Sequence, residues 1–182
     1  MQINLKFYYL ISTAIHHYFM TAFNELITDK NILLDVDASN KKRVFEQAGI
    51  LFENEFGIAR ATITDNLLAR ESLGSTGLGQ GVAIPHGRIK GLKKSCAALL
   101  RLKNPIAFDA PDNELVSIFI IFLVPEKARQ RHLDTLSQIA ELLSDKPIRE
   151  ALKQASSANE IDNLLKQWQS NHHLDCSKNV LK

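Results

Sequence analysis

Apolar and polar positions fall along this chain in blocks whose lengths suit strands and helices. The longest apolar block is residues 115–124, LVSIFIIFLV, rich in β-branched and aromatic side chains and stopped by Pro125. Such a run predicts a strand buried on both faces, which needs helices on both sides of its sheet. Residues 96–102, CAALLRL, predict a second buried strand, and residues 31–36, NILLDV, a third extended piece. Residues 105–108 read as a separate, shorter edge strand because Pro105 has no N–H to donate. The DAPDN that follows, residues 109–113, is turn chemistry.

Helical spacing appears elsewhere. Val44, Ala48, Leu51 and Phe52 share one face of a helix predicted from an N-cap at Ser39 through Phe56, with Gly57 at the C-cap. Thr62 to Asp65 form a capping-box pattern for a second helix that carries Leu67 and Leu68 to Arg70 and ends by Gly74. Leu133, Leu136, Ala140 and Leu143 make the stripe of a helix over residues 128–143. Pro147 suits the first turn of the next helix, through Gln154. Ser157 to Glu160 cap a last helix holding Ile161, Leu164, Leu165 and Trp168. The pattern predicts one α/β domain over residues 20–169, with a mixed central sheet and helices on both faces. Residues 170–182 form a polar tail, expected to fray.

Residues 1–19 stand apart. Their apolar positions are broken by Ser12, Thr13, His16 and His17, too short and too polar a run for a membrane span. Only Lys6 precedes the run and no small-residue cleavage site follows, so a signal peptide fits poorly. An upstream extension from an early start codon and an amphipathic N-terminal helix both suit them.

The 182 residues carry a formal charge of +2, with Lys and Arg spread along the chain, so no basic stripe points to nucleic acid. Hydrophobic residues make up 45%, which argues against disorder. Cys96 and Cys176 lie far apart and form neither a disulfide framework nor a metal-ligand spacing, the pattern of a reducing cytoplasm. The doublets His16-His17 and His172-His173 cannot chelate alone, because adjacent side chains leave a helix or strand in different directions. The sequence implies no metal and no cofactor.

Chemistry concentrates in residues 74–87, GSTGLGQGVAIPHG. Gly74, Gly77, Gly79 and Gly81 permit a backbone whose amide N–H groups line an anion-accepting concavity. Val82 to Ile84 form a short strand stopped at Pro85, which leaves His86 at the strand end with its ring accessible. An imidazole titrating near neutrality beside such a loop can accept and pass on a phosphoryl group. Arg70, just ahead of the loop, offers a guanidinium fork for phosphate oxygens. Ser75, Thr76 and the amides of Gly77, Gly79 and Gly81 are candidates to line the same site. His132 follows the end of the long strand, near the end at which a parallel neighbour presents His86.

ESLGSTGLGQGVAIPHG resembles the phosphorylation-site signature of the fructose/mannitol-type enzyme IIA proteins of the bacterial phosphotransferase system, from Glu71 to Gly87 without departure. The likeness continues in NPIAFDAPDNELVSIFIIFLVP and RQRHLDTLSQIAELLSD, covers roughly residues 21–168, and is strongest to the nitrogen-related branch. The resemblance implies that His86 is phosphorylated on the ring nitrogen remote from the backbone. The donor is an HPr-like phosphocarrier (NPr in the nitrogen branch), charged from phosphoenolpyruvate through Enzyme I. It implies that His132, in HLDTLS, supports the phosphoryl group and that Arg70 stabilises it. It implies further a cytoplasmic regulatory switch acting on targets such as potassium-transport or sensor proteins. The alternative is a sugar-specific enzyme IIA passing phosphate to a IIB domain.

Overall fold

A computed structural model describes residues 26–127 and 131–178, so the two readings of residues 1–19 lie outside the described residues. A 3-10 turn at Asp29–Asn31 leads into strand β1 (Ile32–Val36). Helices α1 (Lys41–Phe56) and α2 (Arg60–Glu71) follow, then the short strands β2 (Gly77–Gly79), β3 (Val82–Ala83) and β4 (His86–Ile89). The long strands β5 (Cys96–Ile106) and β6 (Val116–Pro125) come next, then helices α3 (Arg131–Ser144), α4 (Lys146–Gln154) and α5 (Ala158–Lys178).

The sheet is mixed, in the order β1-β5-β6-β3-β2, with β4 also on β6. β1 runs parallel to β5, β5 antiparallel to β6, and β3 and β4 parallel to β6. The apolar run of β6 is central and its inner residues are buried. Alternate side chains feed two cores. Ala98, Leu100, Phe119 and Ile121 pack with Val44, Phe45, Phe52, Ile63 and Leu67 of α1 and α2. Leu99, Ile118, Ile120 and Phe122 pack with Ile139, Leu142, Leu152, Ile161 and Leu165 of α3, α4 and α5. Period-two alternation on a doubly buried strand therefore yields the expected three layers.

Several boundaries depart from the pattern reading. Asn40, not Ser39, caps α1, its side chain accepting from Arg43 N at 3.0 Å; Gly57 closes the helix in the left-handed region at φ 67°. α2 begins at Arg60, ahead of the Thr62 pattern, because Glu53 from α1 accepts Arg60 N at 3.1 Å and caps the helix across the turn. The expected edge strand at 105–108 is instead the end of β5. Pairing with β6 slips between Arg101 and Ile106, so Pro105 falls where no ladder bond is required. β3 ends just before Pro85, as expected, but the line of the chain resumes as β4: it keeps the register of β3 along β6, and Pro85 O accepts Phe122 N at 2.9 Å. His86 thus opens β4, at a strand end as expected, opposite Phe122. α5 continues to Lys178, past the point where fraying is expected.

Candidate functional site

β4 is an edge strand beyond β6, and α2 packs along it. Two residues of α2 one turn apart, Asn66 and Arg70, reach it from the same helical face. Asn66 Nδ2 donates to Arg88 O at 2.8 Å, satisfying an edge carbonyl. A Cβ at position 87 would collide with Asn66 Oδ1, so Gly87 is what lets the amide lie against the strand. Arg70 Nε donates to His86 Nε2 at 3.1 Å, and its Nη1 donates to Gly74 O at 3.0 Å.

His86 is half-buried, and its two ring nitrogens have distinct jobs. Nδ1 lies 2.9 Å from Ile84 O, which can only accept, so Nδ1 carries the proton. Nε2 then holds the lone pair, consistent with a guanidinium donating to it. The ring is held in the neutral tautomer whose nucleophilic nitrogen points away from the backbone. It opens into a cleft of about 410 Å³, walled by Ala69, Arg70 and Leu73 of the α2 side and by Leu133 and Leu136 of α3. Among the described residues, Arg70 and Arg88 are its charged lining, so an incoming anion meets both guanidinium groups. Leu73 and Leu133 are 84% and 48% exposed, and make an apolar rim beside the histidine.

The loop between α2 and β2 is braced from beneath. Glu71 is buried, and one carboxylate oxygen accepts both Thr76 N at 3.0 Å and Thr76 Oγ1 at 2.6 Å. Its other oxygen pairs with Lys41 Nζ at 2.7 Å. The same ammonium meets Asp109 at 2.8 Å and lies 4.5 Å from the centre of the Phe108 ring. Burial pulls the Lys41 pKa down, but the hydrogen bonds and charges of Asp109 and Glu71 outweigh it and raise it above 10.5. Ser75 Oγ donates to Phe108 O at 2.7 Å and accepts from Gly77 N at 3.1 Å. Gln80 and Gly81, at φ 56° and 78°, form the two-residue turn between β2 and β3. Asp112 secures that turn by accepting Gln80 N at 2.6 Å, and this bond, with one from Glu114 N, lowers its pKa.

The structure therefore brings Arg70 and His86 into contact. Ser75 and Thr76 spend their hydroxyls on the brace, and Gly77, Gly79 and Gly81 belong to the neighbouring hairpin. None of these five is among the cleft's described lining residues. His132 is the second residue of α3, next to Leu133 of the cleft wall, and its side chain lies outside the described residues. Asn66 and Arg88 were not picked out by sequence reasoning. The signal for Asn66 was its position one turn before Arg70; Arg88 was detectable only from its place in the strand of His86.

Residues 25–168 match the family model described as phosphoenolpyruvate-dependent sugar phosphotransferase system, EIIA 2. The chain belongs to this family. Among EIIA 2 relatives, the nitrogen regulatory protein of Pseudomonas aeruginosa is 41% identical over 140 residues, covering 76% of this chain and 91% of that protein. The nitrogen regulatory protein of Escherichia coli K12 is 37% identical over 127 residues, 69% of this chain and 78% of that one. The crystal structure of nitrogen regulatory protein IIA-Ntr from Neisseria meningitidis is 48% identical and superposes with a TM-score of 0.75. That match covers 79% of this chain and 99% of the other. The mannitol IIA of Escherichia coli, 22% identical with a TM-score of 0.64, shares the EIIA fold. The chain is thus a phosphotransferase-system component whose high-identity relatives are nitrogen regulatory proteins. Among the described residues, no helix is long and apolar enough to cross a membrane.

Proposed function

We propose that this EIIA protein carries a phosphoryl group on Nε2 of His86, received from an HPr-like phosphocarrier (NPr) that is charged through Enzyme I. The observation that supports this most is the pair of bonds on the ring, Nδ1–H to Ile84 O and Arg70 to Nε2. A neutral imidazole needs no external base: its Nε2 lone pair forms the new N–P bond as the donor's N–P bond breaks, and Nδ1 keeps its proton throughout. Ile84 O then steadies the positive ring that forms. Arg70 yields the lone pair and turns its N–H groups to the phosphoryl oxygens, while Arg88 adds charge at the same cleft. His132 supports the group from the start of α3. Ser75, Thr76, Gly77, Gly79 and Gly81 act on the phosphoryl group indirectly, by holding the loop and hairpin beside it.

The phosphoryl group adds about two negative charges to a cleft lined by Arg70 and Arg88 and rimmed by exposed leucines. Such a change reverses which partner surface the rim accepts. In a cytoplasmic setting this makes the protein a regulatory switch of the nitrogen branch, acting on targets such as potassium-transport or sensor proteins.

The test is the intact mass of purified protein after incubation with phosphoenolpyruvate, Enzyme I and the phosphocarrier, run beside His86→Ala. One acid-labile phosphoryl adduct on the wild type and none on the variant is expected. No adduct on the wild type, with the donor shown to be charged, overturns the reading.

A further inference from the structure

A second concavity lies at the other end of α2 and β4, away from His86. It encloses about 720 Å³ between the α1–α2 junction and the loop that joins β4 to β5, within the size range of small-molecule sites. Lys90, Lys93 and Lys94 line it, all exposed, and none forms an ion pair with a described residue. Gly91, at φ 84°, turns the loop sharply, so three like charges gather around one hollow. Such clustering is unfavourable in isolation and concentrates positive potential where an anion would sit. The facing junction is apolar: Ile58 is half-buried and packed on the core, and Phe56 leaves 41% of its surface exposed, while Leu92, on the lysine loop itself, also packs on the core. A second lobe of about 290 Å³ shares Phe56, Ser95 and Cys96 and adds Lys30, with Glu55 as the one carboxylate among the described lining residues.

The first backbone N–H of α2 is not the anchor, because Glu53 already takes Arg60 N and Arg60 pairs with the same carboxylate. The lysine side chains are. Polyvalent negative charge on one side and a flat apolar body on the other is the chemistry of a nucleoside polyphosphate.

We propose that the hollow between Phe56 and Lys90, Lys93 and Lys94 binds a nucleoside polyphosphate, its phosphates on the ammonium groups and its base against Phe56. The site is separate from the cleft of His86, and the proposal does not depend on the phosphocarrier reading.

Calorimetric titration of the full chain with ATP and with GTP at about 0.15 M salt tests it, with inorganic tripolyphosphate and adenosine as separate probes. Saturable binding of one nucleotide is expected, weakened about tenfold by the triple variant Lys90→Gln, Lys93→Gln, Lys94→Gln, since exposed ion pairs are each modest. Phe56→Ala weakens it less, and His86→Ala leaves it unchanged. Amide shifts on nucleotide addition are expected at residues 56–62 and 89–96. Absence of saturable binding by either nucleotide overturns the proposal, as does equal affinity in the triple lysine variant. Tripolyphosphate binding as tightly as the nucleotides overturns the assignment of a base to Phe56.

Discussion

At the scale of single residues, the site depends on how closely α2 approaches β4. Gly87 and Asn66 are complementary: the absent Cβ of one is the space of the other. Gly87→Ala is therefore expected to destabilise the protein by about 1–3 kcal/mol through overpacking. The loss should shrink when Asn66→Ala removes the obstructing amide, so a double-mutant cycle read by denaturant unfolding measures the coupling directly. Additive losses would show that the strand tolerates the methyl by other means. Arg70 permits a different separation. Its Nε bonds the ring while Nη1 bonds Gly74 O, a two-point hold that an ammonium cannot copy. Arg70→Lys should slow phosphoryl acceptance by about ten- to a hundredfold with little change in melting temperature. An unchanged single-turnover rate would make the arginine a structural link only.

At the scale of elements, the loop after α2 is held by charge. Removing the Glu71 carboxylate with Glu71→Ala leaves the Thr76 N–H and hydroxyl without their partner and the Lys41 ammonium with the more exposed Asp109 carboxylate alone. A loss of about 3 kcal/mol is expected, visible as a lower melting temperature. The Lys41 side carries a pH signature. Its folded pKa is raised above 10.5, so its contribution is complete below pH 10.5 and fades as pH rises through the folded value. The stability gap between wild type and Lys41→Met should accordingly be constant at neutral pH and narrow in strongly alkaline solution. A gap that is flat to high pH would mean that the ion pair contributes nothing beyond packing.

This element also shows what the sequence could and could not reveal. The stripe of α1, the stop at Gly57 and the apolar run of β6 are local, and each was legible in its own residues. Glu71 was visible only as part of a signature, because its partners lie five, 30 and, through Lys41, 38 positions away. Of the two prolines, Pro105 misled, for a physical reason. A missing N–H ends a strand only if the ladder needs that donor. Pro105 sits in the slipped stretch of β5, and Pro85 still offers its carbonyl to β6. His86, Arg70 and the glycine signature were legible; the geometry that joins them through Asn66 and Gly87 was not.

At the scale of the whole molecule, the two helical layers bury the sheet so fully that its interior becomes a probe of cooperativity. Cys96 opens β5 and is 3% exposed, with Leu123 of β6 beside it in register. Burial alone pushes its thiol up to about 12, so almost no thiolate exists in the folded protein near neutrality. A disulfide reagent at pH 8 should therefore label Cys96 only through opening of the sheet. In a Cys176→Ser background, which leaves one thiol, the labelling rate should fall far below that of a free cysteine. Its denaturant dependence should approach that of global unfolding, because β5 joins β1 to β6 and cannot detach without exposing both cores. A rate independent of denaturant would instead identify local opening of the lysine-bearing loop just before β5. The strand's edge would then be looser than its centre, and the hollow lined by Lys90, Lys93 and Lys94 would be a mobile part of an otherwise cooperative domain.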